Sequence, residues 1–214
     1  MIPNFKAAMF DMDGTILRTM RYWRLTTIEL LLGRNIIPTP QQMARVFSSS
    51  SRALCGEILA EHGIELGERE ILRELEHYMH PHYLHDATAK PRVGEYLEKL
   101  KQAGVRMCIG TAAPRESAEA ALTRLGLMDY FDFILDQYEL DMRKTNPEFF
   151  RVVAGRMDVD LQAMCVFEDA LYSIKTAKSL GCPVIGIEDR TQAHDREEIM
   201  RLADHYICEY EELL

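Results

Sequence analysis

The chain has no C-x-x-C pair: its five cysteines stand singly at positions 55, 108, 165, 182 and 208. An odd, scattered set argues against a disulfide framework. Cys108 and Cys165 lie in apolar runs that read as core, so free thiols in a reducing cytoplasm are expected. No uncharged apolar run approaches the length of a membrane span, and no membrane partner is expected. The first acid comes at Asp11, too early for a signal peptide. Positive charge is in short supply, with 25 lysines and arginines against 34 acids and a net charge of −9. Such a surface would repel a nucleic-acid backbone, whereas a small anionic substrate responds to local charge and is not excluded. There is no internal repeat and no low-complexity segment. At 214 residues the chain has room for one large domain, or for a domain carrying an insert.

What is present is organised around residues 5–15. A short apolar run, residues 7–10, ends in two carboxylates, Asp11 and Asp13. Such a run before a turn signal reads as a buried strand. Side chains two apart on an extended chain point the same way, so Asp11 and Asp13 are expected on one face. Gly14 lets the chain turn away, and Thr15 offers a hydroxyl to hold the turn. Two like charges this close repel unless something compensates them. A strand end with solvated acids and a metal-binding nucleophile site both fit this stretch taken alone.

Further along, the periodicity changes twice. Residues 21–32, 40–47, 52–62 and 68–79 carry apolar residues at helical spacing. They are punctuated by Gly33, Pro38, Pro40, Gly63 and the serines at 48–51, one of which is placed to cap the third helix. From Pro91 strands and helices alternate. Strands are expected at 105–110, 131–135, 164–167, 183–187 and 205–208, and helices at 93–103, 116–125, 147–157, 170–180 and 197–202. Asn146 is the expected cap of the 147–157 helix and Pro147 its first residue. The pattern predicts an α/β core with a parallel, Rossmann-like sheet, residues 1–18 and 86–214, interrupted by an all-α insert, residues 19–85. Open α/β sheets bind ligands beyond the carboxyl ends of their strands. The insert follows the Asp11 strand directly, so it is expected to leave from the rim of such a site and to cover it.

Four strand ends carry the polar groups of interest: Asp11 and Asp13, then Thr111, then Lys144 before the Asn146 cap, then Glu168 and Asp169. Each alone fits a cap or a solvated surface group. Four at one edge point to chemistry. Asp11, Asp13 and Asp169 would converge, and a trianionic pocket calls for a hard cation with oxygen ligands, which suits Mg²⁺ with waters and a phosphate oxygen. Lys144 and the Thr111 hydroxyl add donors for a phosphoryl group beside a carboxylate nucleophile.

The order Asp11-Met-Asp13-Gly14-Thr15, then Gly110-Thr111, Lys144 and Glu168-Asp169 resembles the haloacid dehalogenase superfamily of phosphotransferases. The segments Arg124 to Asp132 and Val166 to Ala170, with the helix ending at Leu180-Gly181, match as well. The resemblance implies that Asp11 attacks phosphorus to form an aspartyl-phosphate and that Asp13 protonates the leaving alcohol and then activates water. It implies that Thr111 and Lys144 hold the phosphoryl oxygens. Asp169, the Asp11 carboxylate and the Asp13 backbone carbonyl would bind Mg²⁺, with Glu168 in support. The insert resembles the small helical cap of phosphoglycolate phosphatases and β-phosphoglucomutases. Three positions depart from the family pattern: Arg18 stands where an acid is frequent, Thr145 where proline is usual, and Ser173 where glycine is common.

The expected activity is therefore a Mg²⁺-dependent phosphatase acting on a small phosphorylated metabolite, in a monomer or weak dimer. A phosphosugar mutase is the alternative, although the cap histidine that the resemblance leads one to expect near Trp23 is missing. A phosphonatase would need a cap lysine, and residues 19–85 contain none. A non-catalytic binding module on the same fold is less well matched by the complete motif set. Arg52, beside the serine run, is the candidate contact for the rest of the substrate. His77, His80, His82 and His85 read as a surface or hinge cluster rather than one metal site, because a helix end and Pro81 are expected to separate them.

Overall fold

The computed structural model describes residues 5–46 and 51–214, with Ser51 and Arg52 described by their backbone alone. Two compact units emerge, one formed by the chain up to Arg18 together with Ala87–Leu214, the other by Thr19–Asp86.

The larger unit is built on a six-stranded sheet of β1 (Ala7–Phe10), β2 (Arg106–Thr111), β3 (Ile134–Asp136), β4 (Met164–Glu168), β5 (Val184–Ile187) and β6 (His205–Ile207). All pairings are parallel, in the spatial order β3-β2-β1-β4-β5-β6. Parallel strands need crossovers, and helices on the crossovers cover both faces of a sheet. The two central strands accordingly read as unbroken buried runs, Ala-Ala-Met-Phe in β1 and Met-Cys-Val-Phe-Glu in β4. A cluster including Met9, Cys108, Phe149, Phe150, Val166, Ile174 and Val184 fills the space between sheet and helices. After β1 the chain winds outward to β2 and β3, then returns to β4 on the other side of β1. This reversal opens a crevice at the carboxyl ends of β1 and β4. All five cysteines are free, with Cys208 alone exposed.

The strand expected at 131–135 lies later, at β3, because Phe131 closes a 3₁₀ turn over Met128–Tyr130 and Asp132 turns out to pair with Arg106 at 2.8 Å.

The smaller unit contains α1 (Met20–Gly33), α2 (Pro40–Val46), α3 (Ser51–Glu61) and α4 (Glu68–His85), and no strand among its described residues. Leu30, Leu31, Val46, Leu54, Ile58, Leu59, Ile71 and Leu75 form its core. Helix α4 departs from the sequence expectation by running six residues past Met79, straight through Pro81. Proline removes one backbone donor and tends to end a helix. Here the buried stripe Ile71, Leu75, Met79 and Tyr83 continues at four-residue spacing across it, and burial of Met79 and Tyr83 outweighs the missing bond. The four histidines therefore ride one helix. The serine expected to cap α3 lies outside the described residues. Among the described residues no helix is long and apolar enough to cross a membrane.

Candidate active site

Strand β1 delivers Asp11 to the crevice. Its backbone N–H still donates to Phe167 O of β4 at 2.9 Å, so the residue is locked beside the end of that strand. The chain then coils back on itself: Ile16 and Leu17 donate to Met12 O, and Gly14 donates to Leu17 O. Gly14 sits at φ +87, and a Cβ placed there would lie 2.4 Å from Asp169 Oδ2. Only glycine suits both the backbone and that approach. Thr15 Oγ1 donates to Asp169 Oδ1 at 3.4 Å, and Tyr210 OH holds the loop through Thr15 O at 3.2 Å.

From β4 come Glu168, the last strand residue, and Asp169. Glu168 Oε1 accepts from the N–H groups of Asp169 and Ala170, at 3.2 and 3.1 Å, and so shapes the turn into the helix Leu171–Ser179. Lys144 precedes the helix Pro147–Arg156, whose Asn146 cap accepts from Glu148 N at 3.0 Å. Its buried Nζ lies 2.5 Å from Asp11 Oδ1 and 2.7 Å from Glu168 Oε2. Thr111, at the end of β2, is fully buried, and its hydroxyl accepts from Ala113 N at 3.0 Å.

Oxygens of Asp11, Glu168 and Asp169 all fall within 4.8 Å of one another. Asp13 is half-buried and is not one of the three, but its charge is felt by Asp11. Burial, then Glu168, push the Asp11 carboxyl up to about 7, with Lys144 pulling it back and Asp13 pushing it further up. Burial, then Asp11 and Glu168, raise Asp169 well above the usual carboxylate range. Burial works against the Lys144 ammonium, yet Asp11 and Glu168 outweigh it and hold this lysine well above its ordinary value.

Asp11 Oδ2 and Asp169 Oδ2 are buried with no hydrogen-bond partner. Orphan buried oxygens are costly and uncommon, and here two of them belong to acids that already repel each other. The donor set is all carboxylate oxygen, as a hard divalent cation prefers, and the three residues could hold one.

A protein-family model for haloacid dehalogenase-like hydrolases matches residues 5–181. The chain belongs to this family. It is thus an enzyme of the phosphoric monoester hydrolase kind, the activity for which several near-full-length relatives are named. A validoxylamine A 7'-phosphate phosphatase of Streptomyces hygroscopicus subsp. limoneus is 27% identical over 199 residues, covering 91% of this chain and 90% of that protein. A fructose-1-phosphate phosphatase of Escherichia coli is 28% identical over 187 residues, covering 87% and 98%. The crystal structure of CbbY from Rhodobacter sphaeroides in complex with phosphate superposes with a TM-score of 0.79 over 98% of this chain and 96% of that one. At 19% identity that likeness speaks for the fold of this haloacid dehalogenase-like hydrolase and no more.

Asp11, Thr111, Lys144, Glu168 and Asp169 thus gather at one sheet edge of the hydrolase. The Arg52 side chain lies outside the described residues. Sequence reasoning gave Gly14 the turn but not the close approach to Asp169, and gave Thr15 a backbone role where it reaches a carboxylate. It passed over Lys90, a buried lysine (7% exposed) whose Nζ donates to Glu188 O at 2.5 Å. No local pattern marks that residue. Its one signal is a charge in the otherwise uncharged stretch 87–91.

Proposed function

We propose that this enzyme is a Mg²⁺-dependent phosphatase of small phosphorylated metabolites that works through an aspartyl-phosphate. The observation that carries the reading is the Asp11 carboxylate, clamped by Lys144 beside Glu168 and Asp169, with an unpartnered oxygen left over. Asp11 attacks phosphorus and the bond to the substrate oxygen breaks. Asp13, as the acid, gives its proton to the departing alkoxide. Asp13, now a carboxylate, takes a proton from water as that water attacks the phosphorus. Inorganic phosphate departs and Asp11 is restored. Lys144 and Thr111 hold the phosphoryl oxygens through both steps.

The Asp11 and Asp169 carboxylates, with the Asp13 backbone carbonyl and Glu168 in support, would hold Mg²⁺. When bound it supplies the positive charge that lets a phosphate dianion approach Asp11. The same charge would draw the Asp11 carboxyl down from about 7, keeping the nucleophile ionised at neutral pH. The unit Thr19–Asp86 falls in the chain between the first motif and Thr111, where the family carries its helical cap. We assign it that role, with Arg52 of α3 as the proposed contact to the remainder of the substrate.

A mutase reading is favoured by one relative, a β-phosphoglucomutase of Bacillus subtilis, 27% identical over 191 residues. Hydrolysis of p-nitrophenyl phosphate with and without Mg²⁺, run beside a panel of sugar phosphates, separates the two. Phosphate release that needs Mg²⁺ is expected. Isomerised sugar phosphate with little free phosphate would replace the phosphatase by the mutase, and no turnover of any phosphate ester would end both.

A further inference from the structure

Three buried carboxylates share the crevice, and Lys144 serves only two of them. Its ammonium contacts Asp11 and Glu168. Asp169 has Thr15 Oγ1 on one oxygen and nothing on the other. The chain places a second buried lysine on that side. Residues 16–18 and 88–90, the segments that lead into and out of the helical unit, run as a short antiparallel ribbon. Arg18 N donates to Thr88 O at 2.8 Å, Lys90 N donates to Ile16 O at 2.7 Å, and Leu17 faces Ala89. The Lys90 backbone is therefore fixed to the loop after β1. Its Nζ is fixed to Glu188 O, just past β5. Strand β4 lies between β1 and β5, and the register Glu168 with Gly186 puts Asp169 level with Ile187, one residue short of Glu188. A side chain that starts at the β1 loop and ends at the tip of β5 must cross the end of β4, where Asp169 emerges.

From this geometry we infer that Lys90 is a positioning residue, a built-in cation that stands against Asp169, loosens metal binding and helps the loaded pocket accept a phosphate dianion. This rests on the reading that the pocket takes a divalent cation. Charge accounts for both effects. Without metal, Lys90 tempers the repulsion among Asp11, Glu168 and Asp169. With metal, it repels the cation while adding attraction for the incoming anion. The titration behaviour agrees: burial pulls Lys90 below its ordinary value while Asp189 and Asp169 push it back, and Lys90 is the charge that opposes the rise of Asp169. Arg18, exposed at the other end of the ribbon, adds to the repulsion that Lys90 feels.

The test is calorimetric titration of the full chain with Mg²⁺ alone, and then with inorganic phosphate at saturating Mg²⁺, on wild type, Lys90→Met, Lys90→Arg and Asp169→Asn. Lys90→Met should bind Mg²⁺ about tenfold more tightly and phosphate several-fold more weakly, for removal of one charge from a partly screened pocket. Lys90→Arg should stay close to wild type in both. A general loosening of the site would weaken both ligands together, and that result overturns the proposal. So does Mg²⁺ affinity unchanged in Lys90→Met, or Lys90→Arg shifting as far as Lys90→Met. If Lys90→Met does not fold, Lys90→Gln, which keeps a donor for Glu188 O, carries the same expectations. If wild type binds no Mg²⁺, or Asp169→Asn binds it as well as wild type, the metal reading itself fails and takes this inference with it. If wild type binds and only the Lys90 variants are indifferent, the metal reading survives and the role of Lys90 does not.

Discussion

The two units of this enzyme differ in what they bury. Among the described residues, half of the polar side chains buried in the α/β unit are ionisable: Asp11, Lys90, Asp136, Lys144, Glu168 and Asp169. Among the described residues, the polar side chains buried in the helical unit are Thr19, Thr26, Thr27 and Gln42, none of which ionises. Its charges form partly exposed pairs such as Arg34 with Glu74 and Arg45 with Glu57 and Glu61. Burying a charge is costly, and removing one partner of a buried pair is costlier still, so buried charge accumulates where something other than stability requires it. By that measure the chemistry resides in the α/β unit, and the helical unit is held as an ordinary small bundle is held.

The largest test of that contrast is Asp11→Asn. The amide cannot act as a nucleophile, and turnover of p-nitrophenyl phosphate should fall by about three orders of magnitude or more. The metal-free protein should be no less stable than wild type, because the substitution removes one of three mutually repelling carboxylates. Residual activity above a few per cent would remove Asp11 from the proposed role. A large loss of stability would mean that the Lys144 contact matters more to the fold than the repulsion does.

How far the sequence led follows the same division. The site was legible at Asp11, Glu168 and Asp169 because each ends a buried apolar run, and a parallel sheet brings such ends together whatever their separation along the chain. Lys144 was legible from its place before a strong helix cap. Lys90 was not, because its partner is a backbone carbonyl 98 residues away and no periodicity announces such a contact. In the helical unit the proline rule gave the wrong end for α4, since tertiary burial of Tyr83 overrode a local preference. One of the histidines there, His82, meets acids. His82 lies 2.6 Å from Asp86 and 3.3 Å from Glu29, and stacks on Tyr22.

A smaller effect, of opposite sign in the two units, is expected from pH. Asp11 titrates near 7 in the folded chain, and Asp169 is raised well above the usual range, while both carboxyls have ordinary values near 4 when unfolded. The folded state therefore holds extra protons between about pH 4 and 7, and the metal-free enzyme loses stability as pH rises through that window. Thermal melts of metal-free wild type should give a higher Tm at pH 5.5 than at pH 7.5, by several degrees. In Asp11→Asn the difference should shrink, and Mg²⁺ should recover most of it for wild type at pH 7.5. A wild-type Tm that rises with pH over this interval would show that the site acids are not strained.

The smallest effect belongs to Arg34 and Glu74, which tie the end of α1 to α4. Arg34 Nη1 donates to Glu74 Oε2 at 2.9 Å, with side chains 25% and 38% exposed. The hydrogen bond from Arg34 holds the Glu74 carboxyl below its ordinary value. A lowered carboxyl contributes stability above its unfolded value and loses it as pH falls through the folded one, so this pair weakens in acid while the acidic cluster of the α/β unit relaxes there. Solvent screens the pair, and a double-mutant cycle on the full chain with Arg34→Met and Glu74→Gln should give a coupling of only about 0.5 kcal/mol at pH 7. That coupling should fade as pH falls through the lowered Glu74 value and vanish below it, where Glu74 is protonated in both states. A coupling of several kcal/mol would mean that the helical unit also depends on a critical ion pair, and the contrast between the two units would then lie in the exposure of their charges and not in the use made of them.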